Sequence, residues 1–265
     1  MSLTFVDSHA HLDMEEFDED RNQVIERAFN EGVKAVLCPT DLTDQKGVKT
    51  TLSLIEKHRN IIAAAGVHPH QAKAFKPDDV RKIEELARTE KIKAVGEIGL
   101  DFFYNYSPSH KQHEAFRHQL HTAQRLGLPV IVHSRNSSRK TAQAVEEEHY
   151  TGGGVLHCFT EDWELAKRLM DRNFFISFSG IITFPKAQPL KEVAQKVPLE
   201  KILIETDSPF LVPAALRKKM KRNEPAFVIE TARILAEIKK VSLGRMAEVT
   251  TRNFEYLFQF EIQKI

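Results

Sequence analysis

The sequence predicts an α/β fold of the TIM type, a (β/α)8 barrel in which eight parallel strands alternate with helices. Eight short apolar runs recur over about 240 residues, and amphipathic segments of helical period separate them. No stretch rich in Pro, Gly or Ser and no change of composition divides the chain. We therefore expect one catalytic barrel domain over residues 1–265, with its site at the carboxyl ends of the strands.

The predicted strands are short runs of Val, Ile, Leu and Ala with little alternation between apolar and polar residues. A strand that is apolar on both faces is covered on both faces, which is typical of a parallel sheet packed beneath helices. The predicted strands, in chain order, are Leu3 to Val6, Val33 to Cys38, Ile61 to Val67, Ile92 to Ile98, Pro129 to His133, Gly154 to His157, Phe174 to Phe178 and Ile202 to Glu205.

The segments between the strands place apolar residues on one stripe, as a helix packed on a sheet requires. An open doubly wound sheet is the alternative fold. It would place its ligand at one point where the strand order reverses, so it would not gather the ends of strands one, four, five, six and eight. The predicted helices include Asp78 to Thr89, Pro108 to Leu126, Glu161 to Asp171, Ala226 to Lys239 and Leu243 to Phe260.

The composition is that of an ordinary globular protein: 42% of the residues are hydrophobic, 28% are charged, and the formal net charge is +1. This charge argues against a protein that coats nucleic acid through bulk electrostatics, although a local basic rim is compatible with it. Cys38 and Cys158 predict reduced thiols rather than a disulfide framework. No apolar stretch approaches the ~20 residues of a membrane span. We therefore expect a cytoplasmic monomer that makes no membrane contact.

Histidines and acids stand where the predicted strands end. His9 and His11 are two residues apart in a strand, so they point to the same face. Glu97 lies in an apolar strand, where a buried carboxylate needs a cation or hydrogen-bond donors. A lone histidine at a strand end is commonly an ordinary polar residue, but several of them with matching acids favour a metal site. The residues His9, His11, Glu97, His133, His157 and Asp207 form a mixed nitrogen and oxygen set that suits two divalent cations sharing a carboxylate.

Two neighbours of this set are assigned from strand alternation. Cys158 follows His157 directly, so it is predicted to point away from the metals. Glu205 lies two residues before Asp207 and should share its face. It either supports a metal ligand or forms a salt bridge in the core, and both interpretations stay open.

Short motifs at or just after the strand ends are specific when they are taken together. They are Asp7-Ser8-His9-Ala10-His11-Leu12-Asp13, Gly66-Val67-His68-Pro69, Gly96-Glu97-Ile98-Gly99-Leu100-Asp101, Pro129-Val130-Ile131-Val132-His133-Ser134-Arg135, His157-Cys158-Phe159, Ser177-Phe178-Ser179-Gly180, Glu205-Thr206-Asp207-Ser208-Pro209-Phe210 and Asn223-Glu224-Pro225. In this order and spacing, from about Val6 to Phe258, the chain resembles the TatD-type metal-dependent deoxyribonucleases, which belong to the amidohydrolase-like barrels.

The resemblance implies two divalent metal ions, which a site of His and carboxylate without Cys allows to be Zn, Mn, Co or Mg. The metal ligands that it implies are His9, His11, Glu97 and Asp207 for one ion, and Glu97, His133 and His157 for the other.

These roles suggest a hydrolytic mechanism. Cation binding lowers the pKa of water from about 16 to about 7, which makes a bridging hydroxide available to attack the phosphorus of a phosphodiester. Glu97 would bridge the cations, and Asp207 is the candidate proton acceptor. His68 is a further catalytic candidate, and both His68 and Arg135 are candidates to hold the phosphate. Alternatively, His68 is a turn residue fixed by Pro69, and Arg135 braces a carboxylate.

Two segments after the strands fit a nucleic-acid substrate. The aromatic segment 102–106, which includes Tyr104, could stack on unpaired bases, or its phenylalanines could cap the core. The basic segment 217–222 could follow a phosphate backbone, or it could simply be solvated. Asn223 is a further candidate substrate contact. The basic segment stands where the family usually has an Arg-Gly pair, and the segment after Arg135 lacks the acidic residue of some members, so the substrate preference stays open.

The favoured function is a metal-dependent phosphodiesterase, a deoxyribonuclease that acts as a 3'-5' exonuclease on single-stranded DNA or strand ends. The runner-up is an amidohydrolase that cleaves a small cyclic amide or ester. Many such barrels bridge their metals with a carbamylated lysine on strand four, whereas Glu97 stands there in this chain and Lys93 lies at the start of the strand. The third hypothesis is a non-catalytic nucleic-acid-binding barrel that keeps a metal for stability.

Overall fold

The computed structural model describes residues 3–263 and contains one sheet of eight parallel strands, arranged in chain order from first to last. The sheet curls until its last strand returns to its first: the backbone N–H of Ser8 donates to Ile204 O at 3.0 Å, and that of Asp207 donates to His9 O at 2.9 Å. The predicted (β/α)8 barrel is therefore confirmed. The strands are β1 Phe5–Asp7, β2 Val33–Asp41, β3 Ile61–Gly66, β4 Ala94–Asp101, β5 Val130–Arg135, β6 Gly154–Leu156, β7 Phe174–Phe178 and β8 Ile202–Ile204.

Helices cover the outside of the sheet. The strand and helix limits differ from those predicted by up to three residues, because pairing between neighbouring strands continues past the apolar runs: Asp101 of β4 still pairs with Arg135 of β5. The helices are α1 Arg21–Asn30, α2 Gln45–Lys57, α3 Pro77–Arg88, α4 Ser109–Leu126, α5 Ser138–Glu147, α6 Trp163–Met170, α7 Gln188–Lys196, α8 Val228–Lys239 and α9 Leu243–Phe258. Among residues 3–263, no helix is both long enough and apolar enough to cross a membrane.

The core has two layers, because alternate residues of each strand face opposite sides of the sheet. One buried cluster takes residues from all eight strands, such as Val6 of β1 and Phe175 of β7, and it fills the barrel interior. The other cluster lies between the strands and the helices, where Phe116 and Leu120 of α4 pack. A filled interior leaves the rim at the carboxyl ends of the strands as the place for polar side chains.

The Tyr150 hydroxyl joins the segments that immediately precede β5 and β6. Tyr150 is 1% exposed, and its hydroxyl lies 2.8 Å from Leu128 O and 3.0 Å from Gly153 O. We expect Tyr150→Phe to lower the free energy of unfolding by about 1–3 kcal/mol, because it takes the hydroxyl donor away from Leu128 O and leaves Gly153 O with the backbone N–H of Val130 alone. Urea unfolding measures the change. Tyr256→Phe is the control, since that ring is 76% exposed, and an unchanged midpoint for Tyr150→Phe would contradict the prediction.

Candidate active site

The carboxyl ends of the strands surround a pocket of about 720 Å³. It is open at the rim and narrows toward the strands, where imidazole and carboxylate groups project into it. The polar residues that line it include His11, His68, His70, Glu97, His133, Arg135, His157 and Asp207. His9 lies beneath them and is fully buried. The structure thus brings together all six of the residues that the sequence identifies as metal ligands.

Glu97 occupies the centre of this pocket and presents its two carboxylate oxygens to different histidines. Its Oε1 lies 2.9 Å from His133 Nδ1 and 2.8 Å from His157 Nε2. Its Oε2 lies 3.3 Å from His9 Nε2 and 3.8 Å from His11 Nε2. One buried carboxylate therefore stands between two pairs of imidazoles, which is the arrangement that a bridging ligand requires.

Asp207 completes the group around His9 and His11. Its Oδ1 lies 3.5 Å from His11 Nε2 and 3.8 Å from His9 Nε2. The ligand atoms of His9, His11 and Asp207 all lie within 4.8 Å of one another, and the same holds for those of Glu97, His133 and His157. The Glu97 carboxylate belongs to the second group and also faces the imidazoles of the first.

The pocket keeps its central carboxylate ionised and favours protonation of His11 over that of His9. Burial raises the pKa of Glu97, but the neighbouring His157 and His68 outweigh it and hold that pKa well below its usual range. Burial also opposes protonation of His11, yet Asp207 raises the pKa of His11 to about 9. Burial and the adjacent His157 lower the pKa of His9. The Glu97 carboxylate is therefore ionised at neutral pH among several closely spaced imidazoles.

The donor set fits divalent metal ions. His9 Nε2 and His11 Nε2 are only 3.2 Å apart, and two neutral acceptor nitrogens at that distance repel unless a proton or a cation lies between them. The buried His9 Nδ1 nitrogen has no hydrogen-bond partner among residues 3–263. The groups are nitrogen and oxygen donors without a thiolate, and this combination suits zinc, manganese, cobalt or magnesium.

Asp101 orients His133, and sequence reasoning did not assign it this role. Its Oδ2 lies 3.1 Å from His133 Nε2 and 2.8 Å from His70 Nε2. Its Oδ1 accepts the backbone N–H groups of Phe103 and Tyr104. Burial raises the pKa of Asp101, but these hydrogen bonds outweigh burial and lower it. The signal was available, because Asp101 lies four residues after Glu97 and therefore on the same face of β4.

Glu205 is similarly close to His157. Its Oε1 lies 3.3 Å from His157 Nδ1 and accepts the backbone N–H of Cys158 at 2.7 Å. Both interpretations left open agree with this contact, because Glu205 is fully buried beside a predicted metal ligand and forms a buried ion pair with it. Carboxylates that hold the distal nitrogen of a histidine fix the ring orientation and its tautomer.

We expect Asp101→Asn to lower the affinity for metal ions, and with it kcat/KM, by about 10- to 100-fold. The amide removes a charged acceptor from His133 Nε2, so the tautomer with its proton on Nε2, which leaves Nδ1 free to bind a cation, is less favoured. Metal titration followed by calorimetry measures the change. Asp79→Asn is the control, because Asp79 is a buried aspartate that accepts the backbone N–H of Lys76 at α3. Equal metal affinity in Asp101→Asn and the unaltered protein would contradict the prediction.

The predicted phosphate contacts have different surroundings. His68 lies at the pocket, with Nε2 3.0 Å from Glu97 Oε1, while its Nδ1 accepts the backbone N–H of His70 at 3.1 Å. His68 therefore fits both interpretations: it lies in the pocket, and it also accepts a hydrogen bond within the turn. Burial lowers the pKa of His68 to about 4 despite the nearby Glu97, so the ring is neutral at pH 7.

Arg135 does not brace a carboxylate, so that alternative is wrong. No acidic side chain of residues 3–263 lies within 4.0 Å of it. Its guanidinium instead stacks over the rings of Phe103 and Tyr104, at 4.2 and 4.6 Å from their centroids. These cation–π contacts do not use the N–H groups of the guanidinium as hydrogen-bond donors.

The prediction that Asn223 contacts substrate is wrong for this structure. Asn223 is fully buried; its side-chain N–H donates to Thr206 O at 2.9 Å, and its Oδ1 accepts the backbone N–H of Glu224 at 3.0 Å. It holds the segment that carries Asp207 and is not at the pocket surface. A single sequence could not distinguish this role, because an asparagine amide serves backbone and ligand equally well.

The basic segment 217–222 is only partly available to a phosphate backbone. Arg222 forms ion pairs with Asp20 at 2.8 Å and Glu224 at 2.9 Å. Arg217 lies over the ring of Phe184 at 5.4 Å from its centroid. The lysines at 218, 219 and 221 are exposed.

Cys158 lines the pocket, so the prediction that it points away is wrong. β6 ends at Leu156 and Cys158 has a φ of 42°, so strand alternation no longer applies there. Its Sγ lies 3.3 Å from Ser179 Oγ. Burial and the nearby Asp207 raise the pKa of this thiol, which keeps it protonated, and it belongs to none of the metal-ligating clusters found within residues 3–263.

The chain forms an eight-stranded barrel with imidazoles and carboxylates gathered at its rim, and relatives of the chain are named metal-dependent hydrolases. Together these findings define a metal-dependent hydrolase. The family described as TatD related DNase matches residues 6–259, and the chain belongs to this family. The resemblance noted in the sequence is thereby confirmed.

Three relatives show how closely the chain follows this family. It is 40% identical over 267 residues to the uncharacterized metal-dependent hydrolase YcfH of Escherichia coli, covering 99% of this chain and 98% of that protein. It is 32% identical to the 3'-5' ssDNA/RNA exonuclease TatD of Salmonella typhimurium, covering 96% and 98%. The crystal structure of the TatD homologue YJJV from E. coli superposes with a TM-score of 0.90 at 28% identity, covering 98% and 100%.

Proposed function

We propose that this protein is a two-metal phosphodiesterase, a deoxyribonuclease that removes nucleotides from single-stranded DNA in the 3'-5' direction. One observation supports this most directly: the two oxygens of Glu97 face two separate groups of imidazoles at 2.8–3.8 Å at the base of an open pocket. Two-metal sites of this kind clamp the attacking and leaving oxygens of a phosphoryl group. The direction of digestion rests on the relative named as a 3'-5' exonuclease.

The ligand assignment follows the two groups around Glu97. When bound, the two cations would lower the pKa of water and offset the charge that develops on the phosphate. The proposed ligands are His9, His11, Glu97 and Asp207 for the first ion, and Glu97, His133 and His157 for the second.

The side chains of the chain itself then perform three tasks. Asp207 lies beside His11 at the edge of the pocket, and we assign it as the acceptor of the proton of the attacking water. The edge N–H groups of Arg135 and the ring of His68 line the open side, where they would hold the non-bridging phosphate oxygens. Asp101 keeps His133 in the orientation that faces Glu97.

The amidohydrolase alternative has less support. A carbamylated lysine would need a lysine within β4 facing the pocket. Lys93 lies one residue before β4, where its backbone N–H donates to Ala63 O, and it is not among the residues that line the pocket. The non-catalytic alternative has less support because the relatives are named metal-dependent hydrolases.

We also propose that residues 1–265 act as a single barrel domain, as a monomer, and in a reducing compartment such as the cytoplasm. Both cysteines are free thiols, and all eight strands belong to one sheet.

The test is a nuclease assay on protein reconstituted with zinc, manganese, cobalt or magnesium. Single strands labelled at the 5' end should shorten in steps from the 3' end, whereas strands labelled at the 3' end should release the label at once. The matching duplex should be cut more slowly, and chelator-treated protein should be inactive. Elemental analysis counts the ions per chain. Turnover of a dihydroorotate-like amide with the DNA left intact would overturn the proposal.

A further inference from the structure

Exposed aromatic side chains are concentrated around the pocket. Among residues 3–263, the large apolar side chains that are at least one-third exposed include two aromatic residues that line the pocket and two that contact pocket-lining side chains. Tyr256, which is also exposed, does not line the pocket. Solvent-exposed apolar groups gathered at one place mark a binding surface. The four are Phe103, Tyr104, Tyr106 and Phe210, and they are between 45% and 58% exposed.

On one side of the pocket, after β4, the rings of Tyr104 and Tyr106 stack on each other. Their rings are nearly parallel, with an interplanar angle of 7° and centroids 5.3 Å apart. Both rings contact His70 edge to face, and the backbone N–H of Tyr104 donates to Asp101 Oδ1 at 2.9 Å. The carboxylate that orients His133 therefore also fixes this tyrosine pair relative to the metal-site residues.

On the other side, after β8, Phe210 stands alone. Its backbone N–H donates to Asp207 O at 3.0 Å, and its ring meets His11 edge to face with centroids 6.3 Å apart. The ring is 47% exposed and lines the same pocket as Tyr104. Phe210 therefore contacts His11 of one group of predicted metal ligands. The tyrosine pair is linked through Asp101 to His133 of the other group.

The order of strands places these two groups across the pocket from one another. β8 and β1 meet where the barrel closes, and β4 and β5 lie half-way around an eight-stranded sheet in chain order. Phe102, by contrast, packs against the core. The four exposed aromatic residues therefore differ from Phe102, which covers the hydrophobic core.

We propose that Phe210 and the Tyr104–Tyr106 pair are two base-stacking platforms, one on each side of the scissile phosphate. This inference rests on the proposed phosphodiesterase function and makes its substrate more specific: a strand with an unpaired base on both sides of the bond that is cut. Each base lies flat on one platform, and the phosphate between them spans the metal-site residues. A duplex cannot satisfy both platforms, because its bases are paired and stacked on each other.

The test uses short oligothymidylates that carry a single abasic residue immediately 5' or immediately 3' of the bond cut first. Stacking of a base on an aromatic side chain typically contributes about 5- to 150-fold in binding. We expect Phe210→Ala to raise KM by about this factor on the normal strand and on one of the abasic strands. The penalty should disappear on the other abasic strand, which lacks the base that Phe210 contacts.

The double variant Tyr104→Ala/Tyr106→Ala should show the opposite dependence, with its penalty lost on the strand that remains sensitive to Phe210→Ala. Phe210→Leu separates stacking from apolar bulk, and it should resemble Phe210→Ala. Tyr256→Ala is the control for loss of an exposed ring away from the pocket, and its KM should not change. Circular dichroism checks that each variant is folded.

Three results would count against these ideas in different ways. Equal penalties on all strands, or penalties lost on the same abasic strand for both variants, would overturn the two platforms while leaving the phosphodiesterase function intact. A protein loaded with metal that cuts no oligonucleotide would overturn the proposed function itself, and the platforms with it.

Discussion

Glu97→Gln is expected to lower kcat on single-stranded DNA by about 1000-fold or more. The amide keeps the size of the side chain but replaces one oxygen with an NH2 group that cannot bind a cation, and it removes the charge between the two imidazole groups. Metal ions contribute several kcal/mol of transition-state stabilisation, and each 1.4 kcal/mol is about tenfold in rate. Elemental analysis of the variant should find fewer ions per chain.

DNA should still bind to Glu97→Gln, because the aromatic residues and Arg135 at the rim are unchanged. Fluorescence anisotropy with a labelled strand measures this binding. Glu224→Gln is the matched control: Glu224 is also a buried glutamate, but it pairs with Arg27 and Arg222 rather than with the site. It should affect stability and leave kcat as it is. Unaltered cleavage by Glu97→Gln would rule out the bridging role.

Gly99→Ala is expected to reduce the free energy of unfolding by about 3 kcal/mol or more and to inactivate the protein that remains folded. Gly99 has a φ of 140°, a conformation that side chains rarely adopt, and an added Cβ would overlap the carbonyl oxygen of His133 on the neighbouring strand. Such backbone conformations cost about 1–3 kcal/mol by themselves. Because the overlapped atom belongs to β5, relief requires the two strands to separate and His133 to move away from Glu97.

Gly127→Ala separates the two causes of this loss. Gly127 follows α4 with a φ of 66°, and an added Cβ there would have no heavy atom within 4 Å. It should cost only about 1 kcal/mol, from the left-handed backbone alone. Urea unfolding of both variants gives the comparison. If the two substitutions cost the same, the contact with His133 is not the reason for the glycine.

The fold and most of the site could be predicted because they depend on local patterns. Near-continuous apolar runs that alternate with amphipathic helices indicate a parallel barrel, and the carboxyl ends of its strands meet at one rim. His9 and His11, two residues apart on β1, were therefore expected near Glu97 on β4. The structure brings these residues to within 3.8 Å of one another.

Other roles could not be read from the sequence because they depend on which polar group each side chain meets. Asp101 and His133 lie 32 positions apart and meet only when β4 and β5 pair. Asn223 has the donors and the acceptor of a substrate contact, yet it holds the backbone of Thr206. Cys158 lies beyond the end of β6, where alternation between faces no longer applies.

The sequence by itself determined the barrel, the family and the set of six imidazoles and carboxylates, since these follow from periodicity and from the ends of strands. Only the tertiary structure decided that Glu97 divides its two oxygens between two groups of histidines, and that Phe210 and the Tyr104–Tyr106 pair lie on opposite sides of the barrel rim. The physical reason is that closure of the sheet sets the distances between residues far apart in the chain, and no local pattern encodes those distances.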